Sequence, residues 1–183
     1  MIIGITGTLG AGKGTVADYL AKKHGFTYLS VRNFFAKELL RQGKAVNRDT
    51  IRDVANELRA AHGPNYATEQ LLSQIPDKKT NVVIESIRTL GEAEFLKSHG
   101  AVLWAVDAEI HTRYGRIVKR ASVTDSVSFE KFAEDEAKEM TSTDPNKQNL
   151  IAVRDVASVV FRNDGTQEEL YAEVEKALQN RPS

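Results

Sequence analysis

A glycine-rich segment near the start of the sequence has the residue types that bind phosphate. Residues 7–15 read Gly-Thr-Leu-Gly-Ala-Gly-Lys-Gly-Thr and follow a short apolar run. Glycines in such a segment let successive backbone N–H groups turn towards one anion, and the helix that follows adds its positive end. A lysine at this point reaches the β- and γ-phosphates of a nucleotide. The segment therefore predicts an ATP phosphate site at Gly7, Gly10, Ala11, Gly12, Lys13, Gly14 and Thr15.

Arginines elsewhere in the sequence could bind further phosphate, because a planar guanidinium pairs bidentately with phosphate oxygens. Arg88 follows an apolar run that ends in Glu85, and a buried ion pair is the alternative for it. Arg116 and Arg120 are four residues apart and share one face of a predicted helix. Their like charges repel there unless an anion lies over them, and a solvated basic face is the alternative. For Arg59, on a predicted amphipathic helix, we weigh phosphate binding equally against a solvent-facing position.

The elements that must position these residues alternate between short β-branched runs and helical stretches, as in parallel βαβ units. Strands are predicted at Ile2–Thr6, Thr27–Ser30, Asn81–Glu85, Ala101–Val106 and Ala157–Phe161. Helices are predicted at 12–24, 33–42, 48–61, 66–74, 90–98, 111–120 and 128–140, and a last one begins at Thr166. The stretch 122–149 is polar and acidic, so we expect it to project from the core. The pattern predicts an α/β fold with a five-stranded parallel sheet between two helical layers.

Composition limits the classes of protein to consider. The chain has 183 residues, no cysteine and a formal net charge of zero. Disulfides and thiolate metal sites are therefore excluded, and no charge excess calls for a nucleic-acid or membrane partner. No apolar run approaches the roughly 18 residues of a membrane helix, and the first residues lack a signal-peptide pattern. We expect a single cytoplasmic domain, and nothing in the sequence specifies an oligomeric state.

The end of the phosphate loop carries a resemblance to a known family. The common pattern places Ser or Thr directly after the lysine, whereas this sequence has Gly14 and then Thr15. A Gly-Lys-Gly-Thr ending resembles the adenylate-kinase group of nucleoside monophosphate kinases, related to dephospho-CoA kinases. The resemblance implies a three-layer P-loop kinase fold with Mg²⁺ held largely through water, for which Thr15 and Glu85 are the metal-site residues.

The same resemblance implies roles for the other segments. Residues 82–90 (Val-Val-Ile-Glu-Ser-Ile-Arg-Thr-Leu) look like the family strand that ends in an acid and is followed by the acceptor-binding arginine, here Arg88. Arg116 and Arg120 match the Arg-x-x-x-Arg at the base of the lid, in contact with ATP and the transferred phosphoryl. Gly165 lies in the turn that approaches the adenine. The catalytic set would be Lys13, Arg88, Arg116 and Arg120.

The resemblance also implies two inserts. Residues 31–76 would form a helical acceptor-binding insert, with Asn33, Arg59 and Arg88 as the substrate-binding residues. Residues 121–154 would form the lid. This lid lacks an obvious second arginine pair, for which the substitutes would be Lys138, Lys147 and Arg154.

The acceptor is the open point, because Asn33 stands where dephospho-CoA kinases carry an aspartate base. A hydroxyl acceptor needs such a base, whereas a phosphate acceptor is already ionised at neutral pH. The leading prediction is therefore ATP-dependent phosphorylation of a nucleoside monophosphate, a small-molecule partner, with dephospho-CoA kinase as the alternative.

Two other classes of protein are less favoured. An ATPase or GTPase switch is one, but the segment 146–149 (Asn-Lys-Gln-Asn) departs from the guanine-reading motif. A nucleic-acid end kinase is the other, and the zero net charge argues against it.

Overall fold

Five parallel strands bring the predicted site residues to one edge of a sheet. The computed structural model describes residues 1–75, 77, 79–120 and 127–180. The strands are β1 (Ile2–Gly7), β2 (Thr27–Ser30), β3 (Val82–Ile87), β4 (Val102–Asp107) and β5 (Val159–Arg162). They pair in the order β2-β3-β1-β4-β5, and every pairing is parallel. The chain builds the sheet on one side of β1 as far as β3 and then crosses to β4 on the other side. At such a switch point a crevice forms at the carboxyl ends of the central strands, where ligands commonly bind in open α/β sheets.

Helices cover both faces of this sheet. In the described part of the chain they are α1 (Lys13–His24), α2 (Val31–Arg41), α3 (Arg48–His62), α4 (Tyr66–Ser73), α5 (Leu90–Ser98), α6 (Ile110–Arg120), α7 (Phe129–Met140), α8 (Leu150–Asp155) and α9 (Gln167–Gln179). Side chains of α1 and α9 pack on one face of the sheet. Those of α2, α3, α4, α5 and α8 pack on the other.

The apolar runs form central strands because both of their faces are covered. In β3, Val83 belongs to the core beneath α1 and α9, while its neighbours Val82 and Ile84 belong to the core on the opposite side. Every residue of β3 is buried. Successive strand residues point to opposite faces, so a strand buried on both sides must be apolar at consecutive positions. The predicted five-stranded, three-layer fold is confirmed.

Several element boundaries differ from the prediction by one or two residues, and two of these differences bear on the site. Helix α2 begins at Val31 rather than at Asn33, because the Ser30 side chain accepts a hydrogen bond from the backbone N–H of Asn33 and caps the helix. Strand β3 continues past Glu85 to Ile87 across a bulge.

The two segments that were predicted to form inserts contain helices. Helices α2, α3 and α4 lie between β2 and β3, where the insert 31–76 is expected, and Pro76 lies outside the described residues. In the expected lid 121–154, residues 121–126 also lie outside them. Helix α8 was not predicted, and it packs against β1 and α5 with Leu150 and Val153 buried. The end of this segment is therefore part of the body rather than a projection. Within the described ranges no helix is long and apolar enough to span a bilayer.

Candidate functional site

The phosphate loop connects β1 to α1 in a conformation that needs glycine. Gly12 caps α1 with φ of 106°, in the left-handed region. A Cβ at Gly12 would lie 2.2 Å from Nδ2 of Asn163. That amide nitrogen donates to the carbonyl oxygen of Ala11 at 2.7 Å. A side chain at position 12 would therefore break the contact by which the turn after β5 supports the loop.

Lys13 is held inside the loop, where its pKa is lowered. Its Nζ donates to the carbonyl oxygen of Thr8 at 2.8 Å. Burial, helped by the nearby charge of Arg88, lowers the pKa of Lys13 from 10.5 to about 7, although Glu85 and Glu139 act in the opposite direction. Loss of hydration disfavours a charged amine unless an anion is close by. A nucleotide phosphate bound in the loop would supply that anion.

Glu85 faces the loop from the neighbouring strand. Its Oε1 accepts a hydrogen bond from Ser30 Oγ, and its Oε2 accepts one from Ser86 Oγ at 2.6 Å. Ser86 has φ of 68°, although it is not a glycine. The pairing of β1 with β3 skips Ser86 at this bulge. Left-handed backbone at a serine costs free energy and tends to occur at functional sites. Here the bulge turns Ser86 Oγ onto the carboxylate.

One cavity of about 970 Å³ contains both groups. Eight cationic side chains line it, namely Lys13, Arg32, Arg48, Arg52, Arg59, Arg88, Arg116 and Arg120. Glu85 and Glu139 are the carboxylates among its described lining residues. Because the whole chain has a formal net charge of zero, this cavity concentrates positive charge. Such a surface attracts and binds polyanions.

Several of these guanidinium groups have unsatisfied donors. Among the described residues, Nη1 of Arg48, Arg52, Arg59 and Arg116 is buried and has no hydrogen-bond partner. Buried polar atoms are normally paired, and a buried charged donor without a partner is costly. Nη2 of Arg48 makes no hydrogen bond either, and five such donors on the wall of one cavity indicate a site that a ligand or ordered water completes.

Arg88 is held by the helix that was expected to belong to the lid. Its Nη1 donates to Oε2 of Glu139 at 2.7 Å and to Oε1 of Gln148 at 3.3 Å. Arg48 Nε donates to Oε1 of the same Glu139 at 2.9 Å. Burial would raise the pKa of Glu139, but the charges of Arg88 and Arg48 and their hydrogen bonds outweigh it, so that its pKa lies below the ordinary value. Helices α3 and α7 thus meet at Arg88 through one ionised carboxylate.

Arg59 is buried, which corrects the solvent-facing alternative weighed for it. Its side chain is 1% exposed, and its Nη2 donates to Oε1 of Glu92 at 2.8 Å. The guanidinium also lies over the ring of Phe35. Glu92 in turn accepts hydrogen bonds from the backbone N–H groups of Arg88 and Thr89 at the start of α5. Arg59 therefore joins α3 to the strand end that carries Arg88, while it also lines the cavity.

The other predicted residues divide between the cavity wall and the layer behind it. Those that line the cavity are Gly10, Gly12, Gly14, Thr15, Asn33, Arg116, Arg120 and Gly165. Gly7 and Ala11 lie behind this wall. The proposed lid substitutes are paired elsewhere: Lys138 with Glu134 and Asp135, Lys147 with Asp144, and Arg154 with Asp107. None of these three lines the cavity as the described residues form it.

The side chains available to a divalent cation suit a magnesium ion completed by phosphates and water better than a metal held entirely by protein ligands. No group of three His, Cys, Asp or Glu able to hold a metal occurs among the described residues. Glu85 and Thr15 line the cavity on the phosphate-loop side. Mg²⁺ in nucleotide sites is commonly held by one or two carboxylates, the phosphates and water. The residues present fit that arrangement.

Comparison with known proteins gives the family. The AAA domain family model matches residues 3–141. A UPF0200 protein of Methanococcus vannielii is 33% identical over 143 residues, which is 76% of this chain and 77% of that protein. The chain belongs to the AAA domain family and to the UPF0200 proteins. A UPF0200 protein of Methanococcus maripaludis is 29% identical over 183 residues, covering 98% of this chain and 96% of the relative.

Solved structures similar to this AAA-domain chain share its fold. The structure of TT1252 from Thermus thermophilus superposes with a TM-score of 0.65 at 21% identity, covering 100% of this chain and 98% of that one. A shikimate kinase from Acinetobacter baumannii, in complex with shikimate, gives a TM-score of 0.63 at 17% identity and covers 100% and 95%. The fold is therefore that of P-loop kinases.

Among the charged cavity residues of this AAA-domain chain that sequence reasoning missed are Arg48, Arg52 and Glu139. A signal for the first two was present: Arg48, Arg52 and Arg59 are spaced by four and seven, which places them along one side of α3. Glu139 has no local signal, because its contact with Arg48 spans 91 positions of the sequence.

Proposed function

We propose that the protein transfers the γ-phosphoryl group of ATP to the phosphate of a nucleoside monophosphate. The observation that carries this proposal is the cavity in which a phosphate loop faces a set of arginines. The loop supplies the donor half. Arg48, Arg52, Arg59 and Arg88, contributed by α3 and the end of β3, supply an acceptor half suited to phosphate.

The reaction requires little covalent work from the protein. An acceptor phosphate oxygen bonds to the γ-phosphorus, the bond from that phosphorus to the β–γ bridging oxygen breaks, and ADP leaves with the bonding electrons. Lys13, Arg116 and Arg120 balance the charge that spreads over the transferred group. Arg88 orients the acceptor. Bound Mg²⁺, held near Glu85 and Thr15, would neutralise phosphate charge.

The chemistry of the cavity supports a phosphate acceptor over a hydroxyl acceptor. A hydroxyl must lose a proton during the transfer, and a positioned base assists that step. Asn33, at the start of α2, lines the cavity and cannot serve as that base. Glu85 accepts hydrogen bonds from two serines and lies where magnesium is expected. A phosphate oxygen is already ionised and needs no base.

A direct test offers ATP or GTP with a set of acceptors and identifies the phosphorylated product by mass. The acceptors are AMP, CMP, UMP, GMP, their deoxy forms, dephospho-CoA, and shikimate, which a fold neighbour binds. We expect nucleoside diphosphate from at least one monophosphate, and none with Lys13→Met. Phosphorylation of dephospho-CoA or shikimate alone would show a hydroxyl acceptor. Release of ADP without any phosphorylated acceptor would identify an ATPase.

A further inference from the structure

The carboxylate of Glu139 has a position that the chemistry described so far does not use. Glu139 lies on α7, lines the cavity, and has a side chain only 4% exposed. Oε1 lies 2.9 Å from Nη2 of Arg48 as well as from its Nε, and Oε2 lies 2.7 Å from Nη1 of Arg88. Each carboxylate oxygen therefore contacts a different guanidinium, one from α3 and one from the end of β3.

The charges around Glu139 do not balance. Two guanidinium groups share one carboxylate, which leaves one positive charge in excess, and Arg48 Nη1 has no partner within the described chain. A phosphate dianion would balance both arginines. Carboxylate and phosphate present their oxygens to arginine in the same bidentate manner. The two positive charges of Arg48 and Arg88 are therefore matched better by a phosphate dianion than by the single charge of the carboxylate they hold.

One buried ion pair away from the cavity shows what a contact with matched charges looks like. Arg113 pairs with both oxygens of Glu136, one guanidinium to one carboxylate. Its remaining donors reach the carbonyl oxygens of Ala108 and Leu9. That pair is matched in charge, anchors α6 to α7, and lies outside the arginine-rich cavity. The Arg48–Glu139–Arg88 group differs from the Arg113–Glu136 pair in three ways. It has two guanidinium groups for one carboxylate, one of its buried donors has no partner, and it lines the cavity.

We propose that Arg48 and Arg88 form the subsite for the acceptor's phosphate, and that Glu139 occupies this subsite until the phosphate displaces it. The proposal rests on the proposed function, which it deepens by naming the residues that select a phosphate dianion. Before the acceptor binds, Glu139 holds the arginines in place and spares them an unpaired, buried state. When the acceptor binds, the carboxylate leaves, so that α3, β3 and α7 change partners together.

The test measures binding of inorganic phosphate to the full chain while the phosphate loop is filled with a non-hydrolysable ATP analogue and Mg²⁺. In the native protein, phosphate must displace a carboxylate. In Glu139→Gln that charge is gone, and we expect the Kd of phosphate to fall at least about tenfold, because like charges in one site repel strongly. Equal or weaker binding by Glu139→Gln would overturn the proposal.

Matched variants separate this effect from a general change in charge. Glu134→Gln removes a carboxylate from the same helix, where the side chain is 60% exposed and pairs with Lys138, and it should leave the Kd unchanged. Arg48→Met combined with Glu139→Gln should lose the gain in affinity.

If Glu139→Gln fails to fold, Glu139→Asp retains the charge on a shorter side chain and should also bind phosphate more tightly. Native-like affinity in that variant would equally contradict the proposal.

The result of this phosphate-binding measurement can be separated from the result of the assay with the set of acceptors. Tighter phosphate binding by Glu139→Gln, with no monophosphate phosphorylated, would keep the subsite and reject the proposed reaction. Phosphorylation of a monophosphate, with phosphate affinity unchanged by Glu139→Gln, would keep the reaction and reject the role of Glu139.

Discussion

Lys13 is the residue whose charge should respond most directly to nucleotide. In the ligand-free protein, burial and the charge of Arg88 lower its pKa to about 7. Bound phosphates favour the protonated amine and return the pKa towards its ordinary value. At pH 8 the free protein holds Lys13 mostly neutral, so ATP binding should take up close to one proton. At pH 6 most of the lysine is already charged, and the uptake by its amine should be much smaller. Calorimetry in buffers of different ionisation enthalpy measures this uptake.

Two variants serve as controls for that measurement. Lys13→Met should bind ATP without proton uptake at pH 8, since the titrating amine is gone and the phosphates of ATP are already ionised there. Lys22 lies on the exposed side of the same helix. Lys22→Met should therefore keep the native uptake. A native protein whose ATP binding exchanges no proton at pH 8 would show that Lys13 is already charged before nucleotide arrives.

At the scale of elements, the bulge in β3 couples backbone strain to the position of Glu85. Ser86 has φ of 68° and donates to Glu85 Oε2 at 2.6 Å. Ser86→Ala and Ser86→Gly both remove this hydrogen bond, but only glycine accepts the left-handed conformation without a Cβ penalty. We expect Ser86→Gly to be more stable than Ser86→Ala by about 0.5–1 kcal/mol, the left-handed cost less the extra chain entropy of glycine.

Urea unfolding of the two variants measures the difference. Equal midpoints, or a more stable alanine variant, would show that the bulge stores no strain at Ser86. Both variants should lose activity relative to the native protein, because Glu85 loses one of the two hydroxyl groups that fix its carboxylate. The stability difference and the shared loss of activity separate the backbone effect from the side-chain effect.

The same elements show what sequence could and could not predict. The five strands are predictable because a sheet covered on both faces demands continuous apolar runs, and the loop is predictable because its glycines and lysine are adjacent in sequence. The extension of β3 past Glu85 could not be predicted, because a bulge at Ser86 leaves no signal in the amino-acid composition. Helix α8 has only six residues, too few to show a helical period.

Site residues can likewise be predicted where their signal is local in the sequence, and not where it depends on the folded chain. Gly10, Lys13, Arg88 and Arg116 stand in local motifs, and the structure brings all of them to one cavity. Glu139 was not predicted, because its partners come from α3 and β3 and only the folded chain brings them together. Arg59 was weighed between a solvent-facing position and acceptor binding, but its partner Glu92 lies on another helix, and that partner explains why the arginine is buried.

At the scale of the molecule, a chain of zero net charge surrounds a cavity rich in arginine. Most of the opposite charge therefore lies outside this cavity, because Glu85 and Glu139 are the carboxylates among its described lining residues, while the cavity cations are partly desolvated. Uncompensated cations in a shared space destabilise the folded state through mutual repulsion. Ligands that carry several phosphates should relieve that repulsion and stabilise the whole fold.

A bisubstrate analogue, in which a chain of phosphates joins two nucleosides, tests whether the loop and the acceptor arginines form one site. At a concentration about one hundred times its Kd, a ligand stabilises a protein by about 2.7 kcal/mol, which for a chain of this length corresponds to roughly 5–10 °C in Tm. We expect the analogue at equal concentration to raise Tm more than ATP does, because it also reaches Arg88.

Arg88→Met should lose most of this excess but keep the shift caused by ATP. Arg41, 75% exposed on α2 and paired with Glu38, provides the control, and Arg41→Met should behave as the native protein. An analogue that stabilises no more than ATP would show that the arginines of α3 and β3 do not share a site with the loop.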